Sequence, residues 1–239
     1  MIALVRGEMI KVRTTRTALG FGVAAVLLVL AVALITILAG DPLTVEQKRD
    51  ALNVGGALSV PLLLFGIVGA TGEFRHRTIA PAVLISPHRG RLTFARLIAY
   101  VATAAAMGVA MVIVALAVGL PLLADQPGPE LGTSDYVRVI GGGILTAALC
   151  AALGVAVGVL VRNQVAGVVG TLVWLLILEP LLPLIDDVLA KGSILGSAAT
   201  LGGASSDEVS WLGALLVLGV WTGVLMLAGL LVDSRRDVE

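Results

Sequence analysis

The sequence predicts an all-α membrane protein: six transmembrane helices, a basic amphipathic helix before them, and a short, basic, helix-capable cytoplasmic connector between the second and third spans. Three observations carry this. Of 239 residues, 58% are hydrophobic and only 13% charged, against about 45–50% and 25% in an ordinary soluble domain, and mean hydropathy is +1.05. Six apolar runs approach the ~20 residues a helix needs to cross a ~30 Å hydrocarbon core. Lysine and arginine are segregated between alternate connections, which sets orientation.

In the first 17 residues, Ile2, Val5, Met9 and Val12 recur at helical spacing, while Arg6, Lys11, Arg13 and Arg16 fall largely elsewhere around the helix. This reads as an interfacial helix with its basic face toward anionic lipid; the alternative is a bare topogenic flank. The first span, 18–39, exceeds the apolar core of a cleaved leader and lacks a small-x-small site before Asp41. It reads as retained. The others are 54–71, 97–123, 139–161, 165–185 and 211–232, all within one transmembrane domain. The third is long enough to tilt or protrude. The fifth is purely apolar only from Val165 to Leu178, about 21 Å of helix. Glu179-Pro180-Leu-Leu-Pro183 follows. The prolines bend or end the helix, which puts Glu179 near a headgroup region, and an outer hairpin or loop fills 179–209.

One side of the membrane receives Arg6, Lys11, Arg13, Arg16, Arg75, Arg77, Arg89, Arg91, Arg96, Arg162, Arg235 and Arg236. The other receives only Lys48, Arg49, Arg138 and Lys191, with most of the acids. The basic side is expected to be cytoplasmic, with both termini on it.

Several chemistries lack their residues. No Gly-Lys dipeptide occurs, so the chain has no P-loop and is expected to bind no ATP by that device. His76 and His88 are the only histidines, too few for a structural zinc site by themselves. Cys150 is the only cysteine and lies in an apolar run; it reads as a packing residue. Glu179 is the one ionisable residue within the candidate spans, which argues against an ion-coupled carrier or a selective cation pore. No catalytic, cofactor-binding or metal residues are therefore expected, and no nucleic acid among the partners. Small residues recur four apart at Gly143, Ala147 and Ala151, then as Gly154-x-x-x-Gly158 and Gly219-x-x-x-Gly223. That spacing lets helix backbones approach, either within one bundle or between subunits.

The polar chemistry concentrates between spans two and three. Glu73 and Arg77 are four apart, a helix-stabilising spacing; Ser86-Pro87 makes a turn; Arg89, Arg91 and Arg96 lead into the third span. By charge alone this connector reads first as a positive-inside topology signal. Its residues carry more. Glu73-x-Arg75-x-x-Thr78, then Leu84-x-x-Pro87-x-Arg89, then Ala95-Arg96, following a basic amphipathic helix and preceding a broken fifth span, resemble the permease subunits of ABC-2-type transporters, the bacterial half-transporters of the type V ABC fold. One departure is Arg77, where the family often has Gly before the Thr.

The resemblance implies a coupling segment at 72–96, with Glu73, Arg75, Arg77, Thr78, Pro87 and Arg89 docking a separate P-loop ATPase that carries ATP and Mg. It implies two ATPase copies, a second permease copy in a homodimer, and residence in a bacterial cytoplasmic membrane. It also implies an extracellular hairpin marked by Glu179, Pro180 and Pro183, and export of a lipophilic, drug-like, lipid or peptide substrate. The alternative class is a non-transporting membrane anchor or assembly subunit that recruits a cytoplasmic partner.

Overall fold

The computed structural model describes residues 1–39, 44–75, 89–124, 129–204 and 209–235, with side chains for all of these except 39, 73–75, 89 and 233–235. The described residues form helices and no strands. In chain order they are α1 (Ile2–Thr14), α2 (Arg16–Ala39), α3 (Val45–Ala51), α4 (Val54–Arg75), α5 (Arg89–Ala124), α6 (Thr133–Val161), α7 (Gln164–Val173), a π turn (Trp174–Leu178), a 3-10 turn (Glu179–Leu184), α8 (Asp187–Lys191), α9 (Ile194–Leu201) and α10 (Trp211–Arg235). Six helical segments are long and apolar enough to cross a membrane. The chain is a multi-pass, all-α membrane protein.

Burial separates the spans into an axis and a rim. The apolar windows of the second and fourth spans are 72% and 61% buried, against 17% for the fifth and sixth. The axis is thus α4 against α6, and glycine makes it close. A Cβ on Gly154 would lie 2.0 Å from the carbonyl oxygen of Leu63, and one on Gly66 2.3 Å from that of Ala151. The two backbones touch, which is how helices associate where lipid removes the hydrophobic drive between them. Phe65 lies beside this seam, fully buried, with ring centroids 6.0 Å from Phe21 and 4.9 Å from Tyr100. The rim helices α2, α7 and α10, with the π turn that follows α7, turn Leu27, Ile35, Val169, Ile177, Leu216 and Val220 outward. An apolar surface of that extent belongs against lipid or another subunit.

The third span is a helix of 36 residues, roughly 54 Å long, far more than a ~30 Å core. α1 packs against its N-terminal half, from Arg96 to Thr103. The fifth span ends as its prolines require. Pro180 and Pro183 have no N–H to donate, and the helix first widens, with the Glu179 amide bonded to Trp174 O, then tightens into the 3-10 turn. After α8 the chain folds back as α9, whose N-cap Ser193 accepts from the Gly196 amide at 2.8 Å. The segment after the fifth span therefore holds two short helices, α8 and α9, rather than a plain loop. Glycine again sets the depth: a Cβ on Gly142 would sit 1.8 Å from Leu201 O, and one on Gly55 2.7 Å from Ala198 O. Short α9 is wedged between α4 and α6.

Candidate functional site

Two polar clusters stand at opposite ends of the α4–α6 axis. The first frames the connector. Arg77, Thr78 and Pro87 lie outside the described residues, as do His76, His88 and the side chains of Glu73, Arg75 and Arg89. The backbones of Glu73 and Arg75 form the last turn of α4, and that of Arg89 opens α5. What is described is the frame from which the connector springs.

That frame is held by a buried charge cluster. Arg96, on the second turn of α5, donates from Nη1 to Ala70 O on α4 at 3.1 Å, and its Nε lies 3.7 Å from Glu8 Oε2 on α1. The two side chains are only 5% and 6% exposed. Lys11 Nζ, half-exposed, donates to Glu8 Oε1 at 2.6 Å. Thr103 Oγ1 donates to Met9 Sδ at 3.5 Å about two turns further along α5. One arginine thus ties α1, α4 and α5 together beneath the connector. A buried carboxylate is tolerated here because two cations and helix dipoles oppose its charge.

Glu8 was not legible as a site residue, being the lone acid in a basic segment. The signal available was its i,i+3 spacing to Lys11. Its burial also shifts the packed face of α1. Val5, Glu8, Met9 and Val12 face the bundle, whereas Ile2, expected on the apolar face, is 88% exposed. The cause is the Arg96 partner, which draws the acid inward. Arg6, Lys11, Arg13 and Arg16 are all exposed, away from α5.

The second cluster surrounds Glu179, which is only 4% exposed. Its burial follows from the fold-back of α9. Its N-terminus points donors at the carboxylate, with the Ser193 hydroxyl donating to Glu179 Oε1 and the Leu195 amide donating to the same oxygen at 2.5 Å. A helix N-terminus is a favourable place for negative charge. Trp221 Nε1 donates to Gly192 O at 3.1 Å and its ring meets Trp174 edge-on at 5.8 Å, so α10 and the π turn brace the hairpin. Pro180 and Pro183 are exposed and line a cavity of about 260 Å³ beside Glu179. Across the same end, Asn53 Nδ2 donates to Ala199 O at 3.0 Å while its Oδ1 accepts from the Gly55 amide at 2.9 Å. Thr146 Oγ1 donates to Ala198 O at 3.3 Å. Arg49 and Asp135 pair at 3.3 Å, joining α3 to the start of α6.

The small-residue pairs divide. Gly154 and Gly158 are consumed inside the protomer: a Cβ on Gly158 would lie 2.6 Å from Ala70 Cβ. That part of the small face of α6 is thereby spent on α4. Gly219 and Gly223 on α10 have nothing within 4 Å of an added Cβ and stay on its outward face. A second cavity, about 250 Å³, opens between α4, α6, α7 and α10, lined by apolar groups including Leu153, Val157, Trp174, Trp221 and Leu225.

No protein-family model matches the chain, and no curated protein matches it.

Proposed function

We propose that this chain is the permease subunit of an ATP-driven exporter, acting as a dimer with a separate ATPase seated on residues 72–96. The observation that carries the reading is the Glu8–Arg96–Ala70 cluster. A connector rich in charge springs from two helix ends that are clamped to each other and to the N-terminal helix. A load on the connector would move α1, α4 and α5 as one body. Because α4 meets α6 backbone to backbone and reaches α9 through Asn53, the displacement would arrive at the outer hairpin. ATP must favour one of two arrangements by differential contact, and rigid helices with tight seams transmit such a bias better than compliant ones. Glu73, Arg75 and Thr78 would make the docking contacts, supported by Arg77, Pro87 and Arg89.

The apolar cavity between α4, α6, α7 and α10 supports a lipophilic cargo over an ionic one. The outward faces of α7 and α10, with Gly219 and Gly223, are the available surface for a second copy. The protein would reside in a bacterial cytoplasmic membrane with both termini inside. Co-purification with a P-loop ATPase encoded beside it, and loss of stimulated ATP hydrolysis in Glu73→Ala, test the reading. Retained partner binding with no nucleotide-dependent change in the spans would favour the membrane-anchor alternative.

A further inference from the structure

We propose that the cavity beneath the outer hairpin is a binding site for a primary ammonium group, held by Glu179 and Ser197. Two buried polar atoms on residues that line it have no hydrogen-bond partner among the described residues: Glu179 Oε2 and Ser197 Oγ. Their residues are 4% and 1% exposed. The other carboxylate oxygen accepts from Ser193 and Leu195, and the Ile194 and Gly196 amides also face the carboxylate, so the side chain is held in place while Oε2 has no closely bonded donor among the described residues. A buried acceptor without a donor costs roughly 1–3 kcal/mol, and more when charged. Glu179 forms no ion pair among the described residues. Lys191 lines the cavity too but is exposed and lies beyond ion-pair distance of it. Thr200 Oγ1 is turned to Gly196 O at 2.9 Å.

The unused groups define the ligand. A carboxylate oxygen repels anions. One carboxylate and one hydroxyl fall short of the six to eight oxygens that a calcium ion gathers. A primary ammonium brings three N–H donors and a positive charge, enough for Oε2 and Ser197 Oγ with one left for water. Pro180, Pro183, Leu195 and Val209 wall the remainder of the cavity and suit a short alkyl body. The ammonium has two natural sources at an outer membrane surface, an aminophospholipid headgroup and a free amine.

The test needs no ATPase, so its failure is separable from failure of the permease reading. The full-length chain in phosphatidylcholine nanodiscs is titrated calorimetrically with hexylammonium chloride, after subtraction of empty discs. One saturable site is expected, with hexanol and hexyltrimethylammonium weaker by about tenfold or more because one lacks the charge and the other the N–H donors. Glu179→Gln should raise Kd about tenfold, and Ser197→Ala, a small change that leaves the hairpin bonds intact, about threefold. If Glu179→Gln does not fold, Ser197→Ala and the two control ligands decide. Hexylammonium binding no tighter than hexanol, or an unchanged Kd in Ser197→Ala, overturns the site and leaves a water-filled cavity. In discs that contain phosphatidylethanolamine, a raised apparent Kd assigns the occupant as a lipid headgroup. An unchanged one assigns it as a free amine.

Discussion

Removing the guanidinium of Arg96 should loosen the frame of the connector more than any surface charge change. In Arg96→Ala, Glu8 keeps its burial and loses the closer-buried of its two cations, while Ala70 O loses its donor. Breaking a buried pair by deleting one partner costs about 3–5 kcal/mol. Lys11 at 2.6 Å is 52% exposed and stays in place, which puts the expectation at the low end, about 3 kcal/mol. At about 2–4 °C per kcal/mol for a chain of this size, Tm falls by roughly 6–12 °C. The assay is thermal unfolding of the detergent-solubilised protein followed by tryptophan fluorescence, for Glu8→Ala, Arg96→Ala and the double variant. The double variant removes both charges, so its cost should fall short of the summed singles by at least about 1 kcal/mol. Additive costs, or a Tm within about 2 °C of wild type for Arg96→Ala, refute a clamp at this position.

The other expectations concern the axis, the hairpin and the orientation. Gly154→Ala should cost about 1–3 kcal/mol by forcing α4 and α6 apart, whereas Gly219→Ala should stay within about 0.5 kcal/mol; paired melts of the two variants check the contrast. Asn53→Ala loses the α4 cap and the bond to Ala199, and should lower stability by about 1–3 kcal/mol, measured in the same way. For orientation, Lys191→Cys should react with a membrane-impermeant maleimide in intact cells, and Arg13→Cys only after permeabilisation. The native Cys150 is fully buried and should remain unlabelled in both; labelling of Arg13→Cys from outside would invert the topology.

The spans were legible because length and hydropathy are local properties. All six apolar runs coincide with described helical segments, and the break at Pro180 follows from the missing amide. Three features escaped for a physical reason each. The eight residues of α9 make a helix of about 12 Å, too short to announce a span, and its stability comes from the Ser193 cap, the wedge between Gly55 and Gly142 and the bonds from Asn53 and Thr146. Glu8 reads as part of a basic flank until Arg96, 88 positions away in the chain, comes beside it. Glu179 has the sequence of an exposed helix end, and its burial is created by donors that lie 14 and 16 residues later. Long-range pairing of polar groups leaves no periodicity in the chain. For the same reason Gly154 and Gly219 look alike in sequence, although one is pressed against a carbonyl and the other faces outward.

The most direct measurement of the coupling role is ATP hydrolysis by the adjacent P-loop ATPase reconstituted with this chain in liposomes. Three permeases are compared: wild type, Glu73→Ala, and a chain whose 72–96 connector is scrambled with its basic charges kept in place. The expected result is stimulated hydrolysis with the wild type and its loss with both variants, while both still reach the membrane. Stimulation that survives the scrambled connector would contradict a docking role for this segment and leave it as a topology signal.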